Sequence, residues 1–331
     1  MAVALELGPL AKDFKRAGSI MWKQAVDLTP ASVKTKARDT GIRVIGNAVL
    51  NMPDPYIQYF QQIAADPRIP IDLNAVAKDF GKKYADMLLQ DRLAELRLVR
   101  EKLPKTVVII PDGNRRYGVE HKLTIEQAHD LGARVLYEGL KVFEEFTEVE
   151  NIVLWGWSTD NEIGRPKSQK LTVLNTMAKY LDLYTPELKE KNIRIKHVGR
   201  TDRLEPEESG FADSMSRAQD ATKDNTGTTI YLAVDYGEDY EDMLYSRAVL
   251  ASGLTPDELS MEMAAEIRTR TMCIPEPDLI VRTSGEYRLS KFPYGTHAEL
   301  VFVKTKLPAI LPHQMADALI ECADRDVRKG R

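Results

Sequence analysis

Residues 106–111 read Thr-Val-Val-Ile-Ile-Pro, and the chain continues Asp112-Gly113-Asn114-Arg115-Arg116-Tyr117-Gly118. An unbroken β-branched run that shows no alternation is the pattern of a strand buried on both faces. The same signature recurs in NIVLWGW (151–157), IRIKHVG (193–199), TTIYLAV (228–234), DLIVRT (278–283) and AELVFV (298–303). Between most of these runs lie longer segments of helical periodicity, such as Ala128–Phe146 and Ser168–Leu183. Strands joined through helices make βαβ units, so the chain is expected to be α/β, with a mostly parallel six-stranded sheet and flanking helices. In such sheets ligands bind beyond the carboxyl ends of the strands.

The residues at those ends share a chemistry. A glycine-bearing loop before a helix presents backbone N–H groups to an anion, and Arg115 and Arg116 add charge. Asp112 is the odd member, because a carboxylate repels a phosphate unless a cation such as Mg²⁺ bridges the two. Taken alone, the loop also reads as a tight turn with solubilising arginines. The second strand is followed by Ser158-Thr159-Asp160-Asn161 and Arg165-Pro166, and the fifth by Arg282-Thr283-Ser284-Gly285-Glu286-Tyr287-Arg288-Leu289-Ser290. The last strand opens with Glu299. Arginines, hydroxyls and glycines converging from three strand ends suit a diphosphate, and two carboxylates would serve a metal. Neither a P-loop nor a GxGxxG fingerprint occurs, which removes the main arguments for a nucleotide or dinucleotide site.

Composition excludes other classes. With 46 Lys+Arg against 50 Asp+Glu, the net charge of −4 gives no electrostatic case for nucleic acid. The two cysteines, Cys273 and Cys322, form no CxxC pair, so a disulfide scaffold and a zinc site are not expected and a cytoplasmic location is. The amino terminus lacks a basic segment before its apolar run, and no apolar stretch approaches the roughly 20 residues that span a bilayer. Contact with a membrane would therefore be peripheral. Residues 1–104 carry 16 basic and 12 acidic residues and read as a helical N-terminal extension. Within it Leu73, Val76, Phe80, Tyr84, Met87 and Leu88 trace an amphipathic helix started by Asp72. The extension is read as a cap packed on the body, with docking to an anionic membrane as the competing reading.

The DGNRRY loop, the His129-x-x-Gly132 pattern, Ser158-x-x-Asn161 with Arg165-Pro166, RTSGEYRLSKF and the following AEL resemble, in order, the cis-prenyltransferase family, which includes undecaprenyl and dehydrodolichyl diphosphate synthases. The resemblance covers about residues 105–331, the expected catalytic domain. It implies a homodimeric α/β fold with an apolar tunnel, joining isopentenyl diphosphate to an allylic prenyl diphosphate. Carried over residue by residue, Asp112 would place Mg²⁺ and the leaving diphosphate, and Glu299 would be a second metal ligand. Gly113, Asn114, Arg115, Arg116, Tyr117 and His129 would hold the allylic diphosphate, with Ser158, Thr159, Asp160 and Arg165 beside them. Arg282, Arg288, Leu289 and Ser290 would grip isopentenyl diphosphate. Asn161 occupies the position usually assigned as proton acceptor, although a neutral amide is a poor base and is better suited to orienting groups. Arg328 and Gly330 match a C-terminal RxG motif that reaches the active site across the dimer interface.

The sequence also departs from the family. Ile125 stands where an arginine is usual, Ala128 where glycine precedes the histidine, and Glu162 where an aromatic follows Asn161. The usual NYGGR loop is Asp235-Tyr236-Gly237-Glu238-Asp239, and Pro293 and Gly295 interrupt a normally apolar segment. Trp155 and Trp157 read as core or as plugs that shorten the tunnel. These departures keep two alternatives open: a same-fold enzyme with diverted chemistry (irregular coupling, cyclisation or transfer to another acceptor), and a non-catalytic subunit of a heteromeric enzyme.

Overall fold

A computed structural model describes residues 73–204, 209–293 and 297–325. Contacts divide the chain into two units, Met1–Leu88 and Leu89–Arg331. Of the first, the described part is the beginning of helix α1 (Leu73–Leu98). Its expected cap Asp72, and the rest of the extension before it, lie outside the described residues. The second unit begins before the boundary expected after residue 104, because Leu93, Leu96 and Leu103 are buried in the same core as Val107 and Ile109.

All six expected strands form, and every pair is parallel. They are β1 (Thr106–Ile110), β2 (Asn151–Ser158), β3 (Arg194–Val198), β4 (Thr229–Tyr236), β5 (Leu279–Arg282) and β6 (Glu299–Phe302), in the order β3-β4-β2-β1-β5-β6. Successive residues point to opposite faces. Val107 and Ile109 therefore join the larger core while Val108 and Ile110 join a second cluster on the other face. Burial on both sides is what makes these strands continuous apolar runs.

Helices α2 (Asn114–Glu120) and α3 (Ile125–Glu144) follow β1. The latter starts at a capping box: Thr124 Oγ1 accepts from the Gln127 N–H at 3.1 Å and Gln127 Oε1 from the Thr124 N–H at 2.9 Å. The short α4 (Thr159–Gly164) and the long α5 (Lys167–Glu190) follow β2, and α6 (Phe211–Thr222) follows β3. Then come α7 (Glu238–Ala251) and α8 (Met261–Thr271) between β4 and β5, and α9 (Pro312–Ala323) at the end. From β1 the chain crosses to β2 on one side, then later returns to place β5 on the other. The order thus reverses between β1 and β5, the place where a parallel sheet opens a crevice.

One irregularity matters later. Trp155 pairs with Ala233, but Trp157 pairs with the next residue, Val234, so β2 bulges at Gly156. The bulge sends the two indoles to opposite faces, Trp157 into the larger core and Trp155 into the smaller. Both tryptophans are buried, at 7% and 1% exposure, and Trp155 also lines the cleft over the strand ends. No described helix is long and apolar enough to cross a membrane.

Candidate active site

A cleft of about 540 Å³ opens over the carboxyl ends of β1, β2 and β5. Asp112 lines it, two residues past the end of β1. Its N–H donates to Thr283 Oγ1 at 2.8 Å, and Thr283 Oγ1 donates to its carbonyl at 2.6 Å, which locks the ends of β1 and β5 together. Its carboxylate accepts from Arg282 Nη2 at 2.9 Å and lies 3.3 Å from Arg116 Nη2. Burial pushes this carboxyl up, but the Arg282 hydrogen bond and charge, reinforced by Arg116, outweigh it and hold Asp112 below the ordinary value of 3.8. Arg282, only 5% exposed, also donates to Ser290 Oγ at 2.8 Å and to the Arg288 carbonyl. Its Nε is buried without a partner. Arg116 and Arg288 meet on Glu286, the latter at 2.5 Å.

The loop after Asp112 depends on two glycines. Gly113 has φ +112°, and a Cβ there would meet Lys306 Cβ at 2.8 Å and Ser284 Oγ at 2.9 Å. A Cβ on Gly132 of α3 would lie 2.1 Å from Asn114 Oδ1, so this glycine makes the seat for Asn114. That buried oxygen has no hydrogen-bond partner.

The opposite wall is cationic. Arg115, Arg165 and His129 face the cleft. His129 Nδ1 lies 2.7 Å from the Ile125 carbonyl. Burial lowers the imidazole pKa, the Ile125 carbonyl raises it, and the charges of Arg165 and Arg115 lower it again; it sits below 6.5. The resting imidazole is neutral, with its Nδ1 proton on Ile125, and Nε2 becomes a donor only on protonation. An incoming dianion reverses the local field. Binding of inorganic diphosphate is therefore expected to take up a proton and to tighten as pH falls toward the depressed imidazole value below 6.5, with His129→Gln flattening the profile. Titration calorimetry in buffers of different ionisation enthalpy reads this directly.

Of the residues singled out from sequence, Asp112, Gly113, Asn114, Arg115, Arg116, His129, Ser158, Asp160, Asn161, Arg165, Arg282, Arg288 and Ser290 line the cleft. Ser158 has a second duty, capping α4 by accepting from the Asn161 N–H at 3.0 Å. Four others stand elsewhere. Tyr117 stacks on His121, and Thr159 is buried against Gly237. Leu289 packs into the smaller core. Glu299 opens β6 at the register of Val107 and Leu279, whereas Asp112 follows the register of Ile110 and Arg282. Within one chain these carboxylates therefore lie toward opposite ends of the sheet, and Glu299 pairs with Arg325 at 2.7 Å. Arg328, Gly330 and Gly295 lie outside the described residues. Sequence reasoning gave no role to Thr283 or Glu286, although Glu286 stands between the arginines of its own motif.

The departures also find places. Ile125 is the first residue of α3, outside the cleft wall, and Glu238 is exposed. Glu162 is turned away into an ion pair with Lys170 at 2.8 Å.

Behind the cleft, between the larger core face of β2–β4 and helices α3 and α5, lies an apolar chamber of about 140 Å³. Ala133, Leu136, Leu154, Met177 and Leu232 line both cavities, so the chamber begins where the cleft ends. Neither tryptophan lines it. An anion-binding cleft continuous with a hydrocarbon-lined chamber suits an amphiphile with a charged head.

The prenyltransferase family model, described as undecaprenyl diphosphate synthase, matches residues 110–330. An isoprenyl transferase of Streptococcus pneumoniae is 31% identical over 251 residues, 73% of this chain and 97% of the relative. A ditrans,polycis-undecaprenyl-diphosphate synthase of Micrococcus luteus, (2E,6E)-farnesyl-diphosphate specific, is 29% identical over 69% of this chain and 92% of its own. Among solved structures, lavandulyl diphosphate synthase from Lavandula x intermedia, in complex with dimethylallyl diphosphate, superposes with a TM-score of 0.62 at 25% identity, covering 70% of this chain and all of that one.

Proposed function

The chain belongs to the undecaprenyl diphosphate synthase family of cis-prenyltransferases, and from that premise we propose that it condenses isopentenyl diphosphate with an allylic prenyl diphosphate to give a Z-prenyl diphosphate. The observation that carries this reading is the cleft that holds Asp112 among arginines and runs into an apolar chamber through shared walls. The allylic head is assigned to the Gly113–Arg116 loop, His129 and Arg165, its hydrocarbon to the chamber. Isopentenyl diphosphate is assigned to Arg282, Arg288 and Ser290.

In the reaction the allylic carbon–oxygen bond breaks with its electron pair staying on the leaving diphosphate. The isopentenyl double bond forms the new carbon–carbon bond, and a proton leaves the resulting cation for a diphosphate oxygen. Arg115, Arg116 and Arg165 stabilise the charge that develops on the leaving group. Asn161, beyond the end of β2, orients the reacting groups rather than taking the proton. Mg²⁺ fits the donor set: Asp112 offers a cleft-facing carboxylate, and no cluster of three acidic, histidine or cysteine ligands exists among the described residues. That suits an ion completed by substrate oxygens and water. When bound, Mg²⁺ neutralises diphosphate charge.

Two chains are proposed to pair. What supports this is apolar surface exposed among the described residues: β6 is an edge strand, Tyr287 against its Phe302 is 67% exposed, and Leu250 and Met261 on α7 and α8 are 82% and 86% exposed.

The test is incorporation of labelled isopentenyl diphosphate with Mg²⁺ and dimethylallyl, geranyl, farnesyl or geranylgeranyl primers, with mass spectrometry of the products. A ladder of linear Z-prenyl diphosphates is expected. Irregular, cyclic or dephosphorylated products would establish the diverted-chemistry alternative, and no incorporation would point to a missing catalytic partner. In the same assay Arg288→Ala is expected to raise KM for isopentenyl diphosphate about tenfold, the loss of one charge-assisted contact. An unchanged KM would place the second diphosphate elsewhere.

A further inference from the structure

Resting on the assignment of Arg165 to the allylic diphosphate, we propose that Trp157, clamped by the Glu162–Lys170 ion pair, is a positioning residue that holds the Arg165 guanidinium ready for that head group.

The bulge at Gly156 delivers the Trp157 side chain to the helix-covered face, where it is 1% exposed. Its Nε1 donates to Glu162 Oε2 at 3.0 Å, while Glu162 Oε1 lies 2.8 Å from Lys170 Nζ. Both charged side chains are nearly out of water, at 13% and 5% exposure. Lys170 also donates to the Arg203 carbonyl, and Arg203 grips the fully buried Asp235 through two hydrogen bonds of 2.8 and 2.6 Å. The indole is thus fixed by its ring nitrogen to a buried ion pair, which a backbone contact at Arg203 links to the carboxyl end of β4.

Over the face of that indole, 5.1 Å from the ring centroid, sits the Arg165 guanidinium. Among the described residues no carboxylate forms an ion pair with it, and of the charges it senses in the cleft the repulsion of Arg115 outweighs the attraction of the more distant Asp112. A long cationic side chain facing like charge swings toward water unless something retains it, and a desolvated aromatic face does so. A ring does not compete for the hydrogen bonds of the guanidinium, which stay available for phosphate oxygens. Glu162 therefore adds no negative charge to the cleft: both carboxylate oxygens are engaged behind it.

The experiment compares full-length wild type with Trp157→Leu, Trp157→Phe and the double variant Glu162→Gln/Lys170→Met. Calorimetry with farnesyl diphosphate and with inorganic diphosphate gives affinities, steady-state kinetics gives the two KM values, and thermal melts give stability. Trp157→Leu is expected to raise Kd and KM for the allylic diphosphate about 3- to 30-fold, the size of a cation–π contact. Its KM for isopentenyl diphosphate is expected to change less than twofold. Trp157→Phe, which keeps an aromatic face, restores most of the loss. The double variant removes both charges together and leaves an amide oxygen for the Trp157 N–H that Lys170 no longer holds in place, and with folding checked by its melt it is expected to weaken allylic binding severalfold by loosening the indole. Three results would overturn the proposal: unchanged allylic binding in a folded Trp157→Leu, equal changes in both KM values, or a lower Tm as the sole effect. A wild-type chain that binds neither farnesyl diphosphate nor inorganic diphosphate would overturn the functional reading and the inference with it. Wild-type binding that Trp157→Leu leaves intact removes the inference alone.

Discussion

Asp112→Asn is expected to lower turnover by about 10³-fold, because in the proposed reaction it would remove the negative charge that holds a cation against the leaving diphosphate while keeping the shape of the side chain. The asparagine still accepts from Arg282, which otherwise retains Ser290 Oγ and the Arg288 carbonyl as partners, so the buried guanidinium is not stranded. Alanine is the harsher change, since it leaves a void beside a side chain that is 5% exposed. Single-turnover kinetics with both diphosphates bound is the measurement, and near-normal turnover would remove the metal-holding role. Stability gives a second reading with a definite sign. The carboxyl of Asp112 is held below its ordinary value of 3.8 in the folded chain. Its ionised form therefore stabilises the fold above that pH, and the contribution is lost as pH falls through the depressed value. Asp112→Asn is expected to melt below wild type at neutral pH, and the gap to close as the pH drops below 3.8.

The second large effect is expected from the smallest change, Gly132→Ala. The added methyl would lie 2.1 Å from Asn114 Oδ1, where real contacts are not closer than 3.0 Å, so the asparagine must retreat by about an ångström. Asn114 is the first residue of α2, and a displacement passed to its backbone moves the first turn of the helix, which carries Arg115 and Arg116. Misplacing a binding loop by that much costs about 10²-fold in kcat/KM. Alanine also favours the helix over glycine by about 1 kcal/mol, which offsets the strain in the folded state. Activity should fall with little loss of Tm. A variant that loses stability and activity in proportion would show that Gly132 serves packing alone.

The strands were legible because burial on both faces leaves β-branched residues with no alternation, and TVVII and DLIVR carry that mark unaided. The cleft residues at their carboxyl ends followed from the parallel topology. What motif matching missed is direction. Thr159 and Leu289 sit beside cleft residues in sequence, yet neighbouring side chains on a strand end or a tight turn point apart, and these two face the interior. Glu299 opens its parallel strand whereas Asp112 follows the end of β1, so within one chain the two stand toward opposite ends of the sheet. The bulge at Gly156 left no such mark: Trp-Gly-Trp reads as two indoles on one face until the pairing partners of β4 are known. Glu162 was legible as a departure, but its partner Lys170 lies eight residues on, across the turn into α5.

The walls shared by cleft and chamber, Ala133, Leu136, Leu154, Met177 and Leu232, have a kinetic consequence. Under the proposed condensation, each five-carbon unit added to a product held there would bury apolar surface worth up to about 4 kcal/mol, at roughly 0.8 kcal/mol per methylene. Each round of such growth would slow escape of the intermediate by orders of magnitude, for as long as the chamber has wall left to cover. Processivity would then require no clamp or gate. It would follow from anchoring the reacting head and the growing tail in one continuous volume, and synthesis would end when further growth no longer deepens burial.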